Sequence, residues 1–226
     1  MDTTTHLIGI CGRKRHGKDS VGRILRAHHG YRLTAFADAV KRVAMDVYGL
    51  SWEQCYGDGP EKETVDPRWG LSPRVIMQRI GTEVGRSIHT DTWVKHTLDN
   101  VRSASDGEGF LERDDSLQRF LTVPRAVSHR LWAVTDVRFP NEADAIRAAG
   151  GTVVKVVRPS LGTPTDEHPS ETSVDLVRED VLVVNDGTLL DLRAQVEKAL
   201  DLRDRTPQYN VNPDALVGRW TRGVKQ

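Results

Sequence analysis

A chain of 226 residues has room for one good core, or a core with a small added lobe, and its length does not demand two domains. Lys plus Arg and Asp plus Glu balance at 32 each, with 28% charged and 38% hydrophobic residues. That is ordinary globular composition, without the basic excess of a nucleic-acid binder. No apolar run approaches the roughly 20 residues that span a bilayer, and the first residues lack the basic start and apolar stretch of a signal peptide. Two cysteines, Cys11 and Cys55, make neither a disulfide framework nor a zinc site. The expectation is a cytoplasmic protein with reduced thiols and no membrane or nucleic-acid partner.

The first apolar run, residues 7–11, is short and bounded by glycine, which predicts a buried strand. After a glycine-bearing loop, Val21, Ile24, Leu25 and His28 share one helix face and Gly30 stands at its stop. A second strand at 33–36 leads into a helix with Val40, Val43, Ala44 and Val47 on one face, closed by Gly49. Residues 51–71, with Gly57, Gly59, Pro60 and Pro67, read as turns and loops. Ser72 as cap and Pro73 at the first helical position start a helix whose stripe is Ile76, Ile80, Val84 and Ile88. Another helix covers 92–102, with Val94, Leu98 and Val101 inward. Residues 103–130 lack a sustained period and read as an exposed excursion.

The second half alternates again: a strand at 131–135, a helix at 140–149, a strand at 152–157, a polar loop at 158–173, a strand at 181–184, and a helix bearing Leu189, Leu192, Val196 and Leu200. The tail beyond Leu202 has no strong pattern. Continuous apolar strands alternating with helices predict an α/β fold with a mostly parallel sheet covered on both faces.

The spacing Gly12-x4-Gly17-Lys18, directly after a strand and opening a helix, carries the chemistry. Glycines let consecutive backbone N–H groups face one concavity, the helix N-terminus adds partial positive charge, and Lys18 reaches the β and γ phosphates of a nucleotide. Asp19 stands where the usual motif has Ser or Thr, with Ser20 one place later, and either is a candidate magnesium ligand, directly or through water. Arg13, Lys14, Arg15 and His16 bring four potential cations into the loop, a concentration that points to phosphate. Asp136, ending the 131–135 strand, projects at the carboxyl edge of a parallel sheet, where ligands bind, and is placed to meet magnesium or its waters. Arg138, Asn141 and Glu142 follow within a turn; helix capping accounts for part of that pattern, with Pro140 at a helix start. Asp38 and Lys41 read equally as a capping pair or as contacts to the group that accepts phosphate.

Several segments together resemble the phage-type deoxynucleoside monophosphate kinases of the P-loop nucleoside monophosphate kinase superfamily. They are Gly-Arg-Lys-Arg-His-Gly-Lys-Asp-Ser at 12–20, Phe36-Ala-Asp-Ala-Val-Lys41, Pro73-Arg-Val-Ile-Met-Gln-Arg-Ile-Gly-Thr-Glu-Val-Gly-Arg86 with Trp93 following, and Thr135-Asp-Val-Arg-Phe-Pro-Asn-Glu142. Later come Val157-Arg-Pro159, His168-Pro-Ser-Glu171 and Val184-Asn-Asp-Gly187, so the likeness spans most of residues 7–200. Ala39 stands where such sequences often have Pro, and 103–130 departs from a compact version of the family.

The resemblance implies a single P-loop NTPase domain, three-layer α/β/α, with a mostly parallel five-stranded sheet and an inserted helical acceptor-binding lobe. Its core would be about 6–41 and 131–202, the acceptor lobe about 42–102, and the lid about 158–173. It implies ATP and Mg2+, small nucleotide substrates, and a homodimer as one arrangement of an oligomeric state that stays open. ATP would be held by Gly12, Gly17, Lys18, Asp19 and Ser20, with Arg158 as a lid cation and Asn185 on the same side. Arg13, Lys14 or Arg15 would neutralise the moving phosphoryl group, and magnesium would meet Asp19, Ser20 or Asp136. Arg79, Arg86 and Arg138 are candidates for the acceptor phosphate, since a guanidinium binds phosphate oxygens in pairs. Asp38, Lys41, Gln78, Glu83, Trp93 and Glu142 would complete the acceptor site.

Rival readings are phosphomevalonate kinase of the animal type, which has a similar loop and an Asp-x-Arg segment, and a P-loop ATPase. Against the latter, Val137 follows Asp136 where many ATPases place a catalytic Glu.

Overall fold

The computed structural model describes residues 5–125, 129–161 and 172–202. In chain order the elements are β1 (His6–Cys11), α1 (Lys18–His29), β2 (Arg32–Thr34), α2 (Ala37–Tyr48), α3 (Trp52–Tyr56) and α4 (Pro73–Gln78). A π-helical segment (Arg79–Gly85) runs into α5 (Arg86–Ile88) and then α6 (Thr92–Asp106). After these come β3 (Phe110–Asp114), β4 (Arg119–Val123), β5 (Leu131–Val137), α7 (Pro140–Ala148), β6 (Thr152–Val157), β7 (Val181–Val184) and α8 (Leu189–Ala199).

Five strands pair in parallel in the order β2-β5-β1-β6-β7, the parallel sheet that the alternating pattern predicts. Successive side chains of a strand point to opposite faces, and β1 divides accordingly. Leu7 and Cys11 pack with Trp132, Val134 and Val153 under α6 and α7, where Val101, Ala104 and Ile146 are buried. Ile8 and Ile10 pack with Ala133, Val154 and Val156 under α1 and α8, against Leu25, Leu192 and Val196. The three layers follow from that alternation. A smaller apolar cluster, Val40, Ala44, Leu50, Cys55, Ile76 and Ile80, joins α2, α3, α4 and the π-helical segment beside the sheet.

Several details depart from the sequence reading. Strand β2 ends at Thr34, so Ala35 and Phe36 form the turn into α2. The expected loop after Ser51 begins with a helix, α3, announced by a capping box in which Ser51 and Gln54 bond each other's backbone N–H.

The helix expected over 72–88 does not keep one face: Ile76 and Ile80 are buried, while Val84 and Ile88 are 54% and 78% exposed. Bonds from i to i+5 widen the turns of the π-helical segment and rotate its later residues about the axis, which brings Gly85 inward in their place. The ring of Trp93 occupies the space a side chain at 85 would need; a Cβ there would lie 2.2 Å from its Cζ2. The same indole N–H donates to the carbonyl of Gly81 at 2.8 Å.

The excursion at 103–130 contains a β-hairpin. Its β3 and β4 pair antiparallel across a turn in which Asp114 Oδ1 accepts from the backbone N–H groups of Ser116 and Leu117. Phe110 anchors it, edge-on to Trp132 and His129, and Asn100 exchanges two hydrogen bonds of 2.9 Å with the backbone of Leu111. The tail beyond 202 and most of the expected lid, 162–171, lie outside the described residues.

Leu25 is fully buried between α1 and the sheet. Leu25→Ala is expected to lower unfolding stability by about 2–5 kcal/mol, seen as a lower urea midpoint with an unchanged slope.

Candidate active site

The glycine loop leaves β1 at the carboxyl edge of the sheet and is shaped by two close approaches. Gly12 has φ 141°, and a Cβ there would lie 2.4 Å from the carbonyl oxygen of Val156 on β6. Gly17 has φ 105° and caps α1, and a Cβ there would lie 2.3 Å from Nδ2 of Asn185. Side chains are excluded at both positions, which lets the turn lie directly against β6 and Asn185. Arg15, at φ 66°, holds a left-handed conformation without being glycine.

The expected loop residues separate into two groups. Lys14, Arg15, Lys18 and Asp19 line one cleft of about 740 Å3. The Nζ of Lys18 donates to the carbonyl of Arg13 at 2.9 Å. Arg13 turns from the cleft to Asp175, with Nε donating at 2.9 Å and a second bond from Nη2. His16 is not a fourth surface cation: it is buried, and burial together with Lys18 lowers its pKa. Its Nδ1 accepts from the backbone N–H of Arg158, and its carbonyl accepts from Asn185 at 3.0 Å. Asn185, expected at the ATP site, therefore supports the loop from beneath. Ser20 lies in the first turn of α1.

On the other side of β1, Asp136, one residue before the end of β5, lines the cleft, and its two oxygens accept from the backbone N–H groups of Phe36 (2.7 Å) and Ala37 (2.9 Å). Burial raises its pKa, partly offset by those two bonds. Asp38 accepts from its own helix start, Ala35 N–H at 2.9 Å, and from Tyr56 Oη (2.9 Å) and Arg113 Nη1 (2.8 Å). Lys41 sits with Nζ 3.8 Å from the centre of the Tyr56 ring, and burial, with Lys62 and Arg113 nearby, lowers its pKa to about 8.

A third group joins the helical segment to the sheet. Arg86 Nη2 donates to Glu142 Oε1 at 2.8 Å and its guanidinium lies 3.7 Å from the centre of the Phe139 ring. Glu142 Oε2 accepts from the backbone N–H groups of Arg138 and Phe139, the capping role foreseen for it. Gln78, Trp93 and Arg138 also line the cleft. Arg79 and Glu83 do not: they pair with each other at 3.9 Å on the exposed side of the π-helical segment, since its wide turns direct them outward.

The sequence reading passed over five cleft cations: Arg23, Arg26, Lys62, Arg74 and Arg113. Arg23 and Arg26 fall one turn apart on the solvent side of α1, where a charge signals only a wet face. Arg113 was legible in principle, since Phe-Leu-Glu-Arg-Asp and Arg-Phe-Leu-Thr-Val flank an Asp-Ser-Leu-Gln turn.

Burial first, and the charge of Asp136 second, push the Glu142 carboxyl up to about 7 from its ordinary 4.5, against its amide bonds and Arg86. The folded chain thus holds this proton more tightly than the unfolded chain. Its contribution is complete below about pH 4.5 and lost as pH rises through about 7. His129, whose buried imidazole is held down to about 4, acts oppositely, so the readout is a difference between two proteins. Glu142→Gln is expected to gain stability relative to the wild type as pH rises from about 5 to 7.5 in denaturant titrations; a constant gap would refute the assignment.

The family profile described as deoxynucleotide monophosphate kinase matches residues 61–196. A putative deoxynucleotide monophosphate kinase of Acanthamoeba polyphaga mimivirus is 32% identical over 197 residues, covering 86% of this chain and 96% of the relative. The deoxynucleotide monophosphate kinase of Enterobacteria phage T4 is 29% identical over 138 residues, 60% of this chain and 47% of its own length. That of Escherichia phage RB69 is 38% identical over 69 residues, 30% and 28% of the two chains. Among solved structures, dephospho-CoA kinase from Campylobacter jejuni superposes at a TM-score of 0.42 and 12% identity over 89% of this chain and 98% of its own, a distance from which no conclusion is drawn. With the family profile matching more than half of its length and a full-length relative at that identity, the chain belongs to the deoxynucleotide monophosphate kinase family.

Proposed function

We propose that this protein transfers the γ-phosphate of ATP to a deoxynucleoside monophosphate, giving ADP and a deoxynucleoside diphosphate. In this reading the single P-loop domain uses the glycine loop for the donor and the segment at about 42–102 for the acceptor. The observation that carries it is the charge of the cleft. Among the described residues, eleven Lys and Arg side chains and six carboxylates line it, in a chain whose total charge is zero. A site of that kind suits two polyanions held together. Trp52 and Tyr56, stacked with centres 4.2 Å apart, also line it and offer a flat apolar surface to a base. That pair favours a nucleotide acceptor over phosphomevalonate, which has no ring.

The chemistry needs no covalent intermediate. An ionised phosphate oxygen of the acceptor forms a bond to the γ-phosphorus as the bond to the β,γ-bridging oxygen breaks, with ADP leaving in line. What the protein supplies is position and charge: the loop amides and Lys18 hold the donor, Lys14 and Arg15 stand over the transferring group, and Lys41 and Arg138 receive the acceptor phosphate. Arg158, at the start of the proposed lid at about 158–173, would add a cation on closure. Asp19 lines the cleft, Ser20 follows it, and Asp136 has both oxygens on amides. A set with one open carboxylate suits Mg2+, which takes one or two carboxylates and completes its shell with phosphates and waters. When bound, the ion would neutralise charge on the β and γ phosphates.

The test is ADP formation from MgATP with each deoxynucleoside and ribonucleoside monophosphate and with phosphomevalonate. Turnover is expected with one or more deoxynucleoside monophosphates, falling on the order of a hundredfold or more in Lys18→Ala. ADP release indifferent to every acceptor would overturn the reading in favour of an ATPase.

A further inference from the structure

Asp38 and Lys41 stand three residues apart on α2, a spacing at which a carboxylate and an ammonium normally pair. They do not pair here. Among the described residues, Lys41 makes no ion pair or hydrogen bond; its ammonium rests on the face of Tyr56 within the cleft. The reason lies in what occupies Asp38. Oδ2 accepts from the N–H of Ala35, and Oδ1 accepts from Tyr56 and from Arg113. Arg113 comes from neither α2 nor its neighbours; it is carried by the β3–β4 hairpin, 75 residues along the chain, whose base is fixed by Phe110 and by the Asn100–Leu111 exchange.

We propose that Arg113 is a positioning residue: by occupying Asp38 it keeps the ammonium of Lys41 available to the phosphate of the acceptor nucleotide. The inference rests on the reading of this cleft as a nucleotide kinase site. It gives the hairpin a role, that of a fixed wall which sets the charge of the acceptor pocket. An ammonium and a guanidinium compete for one carboxylate, and the guanidinium holds it through a 2.8 Å hydrogen bond from Nη1, with Asp115 as an ion-pair neighbour 3.0 Å from its Nε. The charged and titratable groups around Lys41 are Asp38 on α2, Cys55 and Tyr56 on α3, Lys62, Arg113 and Asp136. Burial first, and then Lys62 and Arg113, loosen the proton of the Lys41 ammonium against the pull of Asp38 and Asp136, and a bound phosphate dianion would tighten it again.

The experiment compares the full-length wild type, Arg113→Gln, Arg113→Lys and the double variant Arg113→Gln/Asp38→Asn. KM for the acceptor, KM for ATP and kcat are measured across about pH 6 to 9.5. In Arg113→Gln, Asp38 captures Lys41, so KM for the acceptor is expected to rise about tenfold, the loss of one charge-assisted contact, with KM for ATP within about twofold. The alkaline limb of kcat/KM for the acceptor should move to higher pH in that variant, because a carboxylate partner raises the pKa of an ammonium. Removing the competing charge in the double variant should recover most of the acceptor KM, and Arg113→Lys, which keeps the charge without the planar fork, should fall between the wild type and Arg113→Gln. Equal rises in both KM values, or a double variant no better than the single one, would overturn the inference. Should Arg113→Gln fold poorly by circular dichroism, Arg113→Lys decides: an acceptor KM as high as that of Lys41→Ala would overturn it. A wild type without acceptor-dependent turnover would instead refute the kinase reading.

Discussion

The carboxylate of Asp136 takes two backbone N–H groups, from Phe36 and Ala37, and much of the site is set by those two bonds. A helix begins with four N–H groups that have no partner inside it, and the residue before it normally supplies an oxygen. At α2 that residue is Phe36, whose side chain has none to give. The oxygens come instead from the end of β5, about a hundred residues away in sequence. The first turn of α2 is thereby fixed at the carboxyl edge of the sheet, beside the glycine loop, and Asp38 and Lys41 inherit their places from it. Burial disfavours the charged carboxylate while the two amides favour it, so the joint holds only while both amides stay in place.

The sheet holds the glycine-loop side of the cleft from its other half. The glycine loop lies against β6 at Gly12 and against Asn185, just past β7, at Gly17. Asn185 and the backbone of Arg158 both bond His16, a buried side chain within the loop. β1, in the middle, carries the loop itself. Strand order therefore divides the labour: β5 fixes the start of α2, while β6 and the residue after β7 brace the glycine turn. Under the proposed reaction, neither half could be moved without separating groups that must meet across a few ångströms for in-line transfer.

The range of the forces involved decides which features were legible in the sequence. The alternation of buried faces along β1, α1, β5, β6 and α8 is local, so the strands and the three layers could be read, as could the loop whose glycines are required by φ and by contact. The side-chain partners that could not be read lie far along the chain. Arg13 reads as a loop cation, and only the fold brings Asp175 to it; His16 reads as a fourth potential cation, and only the fold shows it buried. The stripe of Ile76, Ile80, Val84 and Ile88 has flawless spacing for a helix. It fails only because Trp93, one helix later, occupies the place beside Gly85 and the turns open to π geometry. The hairpin hid for another reason: its strands are half exposed and highly charged, so their alternation is weak, and their one deeply buried apolar residue, Phe110, sits at the end.

The contact between Arg86 and Glu142 marks where the helical segment meets the core. One partner lies just after the π-helical segment and the other in the first turn of α7, and both are largely buried. An ion pair in such a place adds little net stability, since removing two charges from water costs about as much as their attraction returns. Its geometry is nevertheless specific: Glu142 also caps α7, and the Arg86 guanidinium lies over the ring of Phe139, the residue before that helix. The pair therefore fixes register. It sets the far end of the π-helical segment against the same edge of the sheet from which Asp136 holds α2. Two carboxylates from one short stretch, residues 136 and 142, thus orient the two ends of the helical segment that lines the cleft, and that is a reason for so short a stretch to carry so dense a pattern of charge.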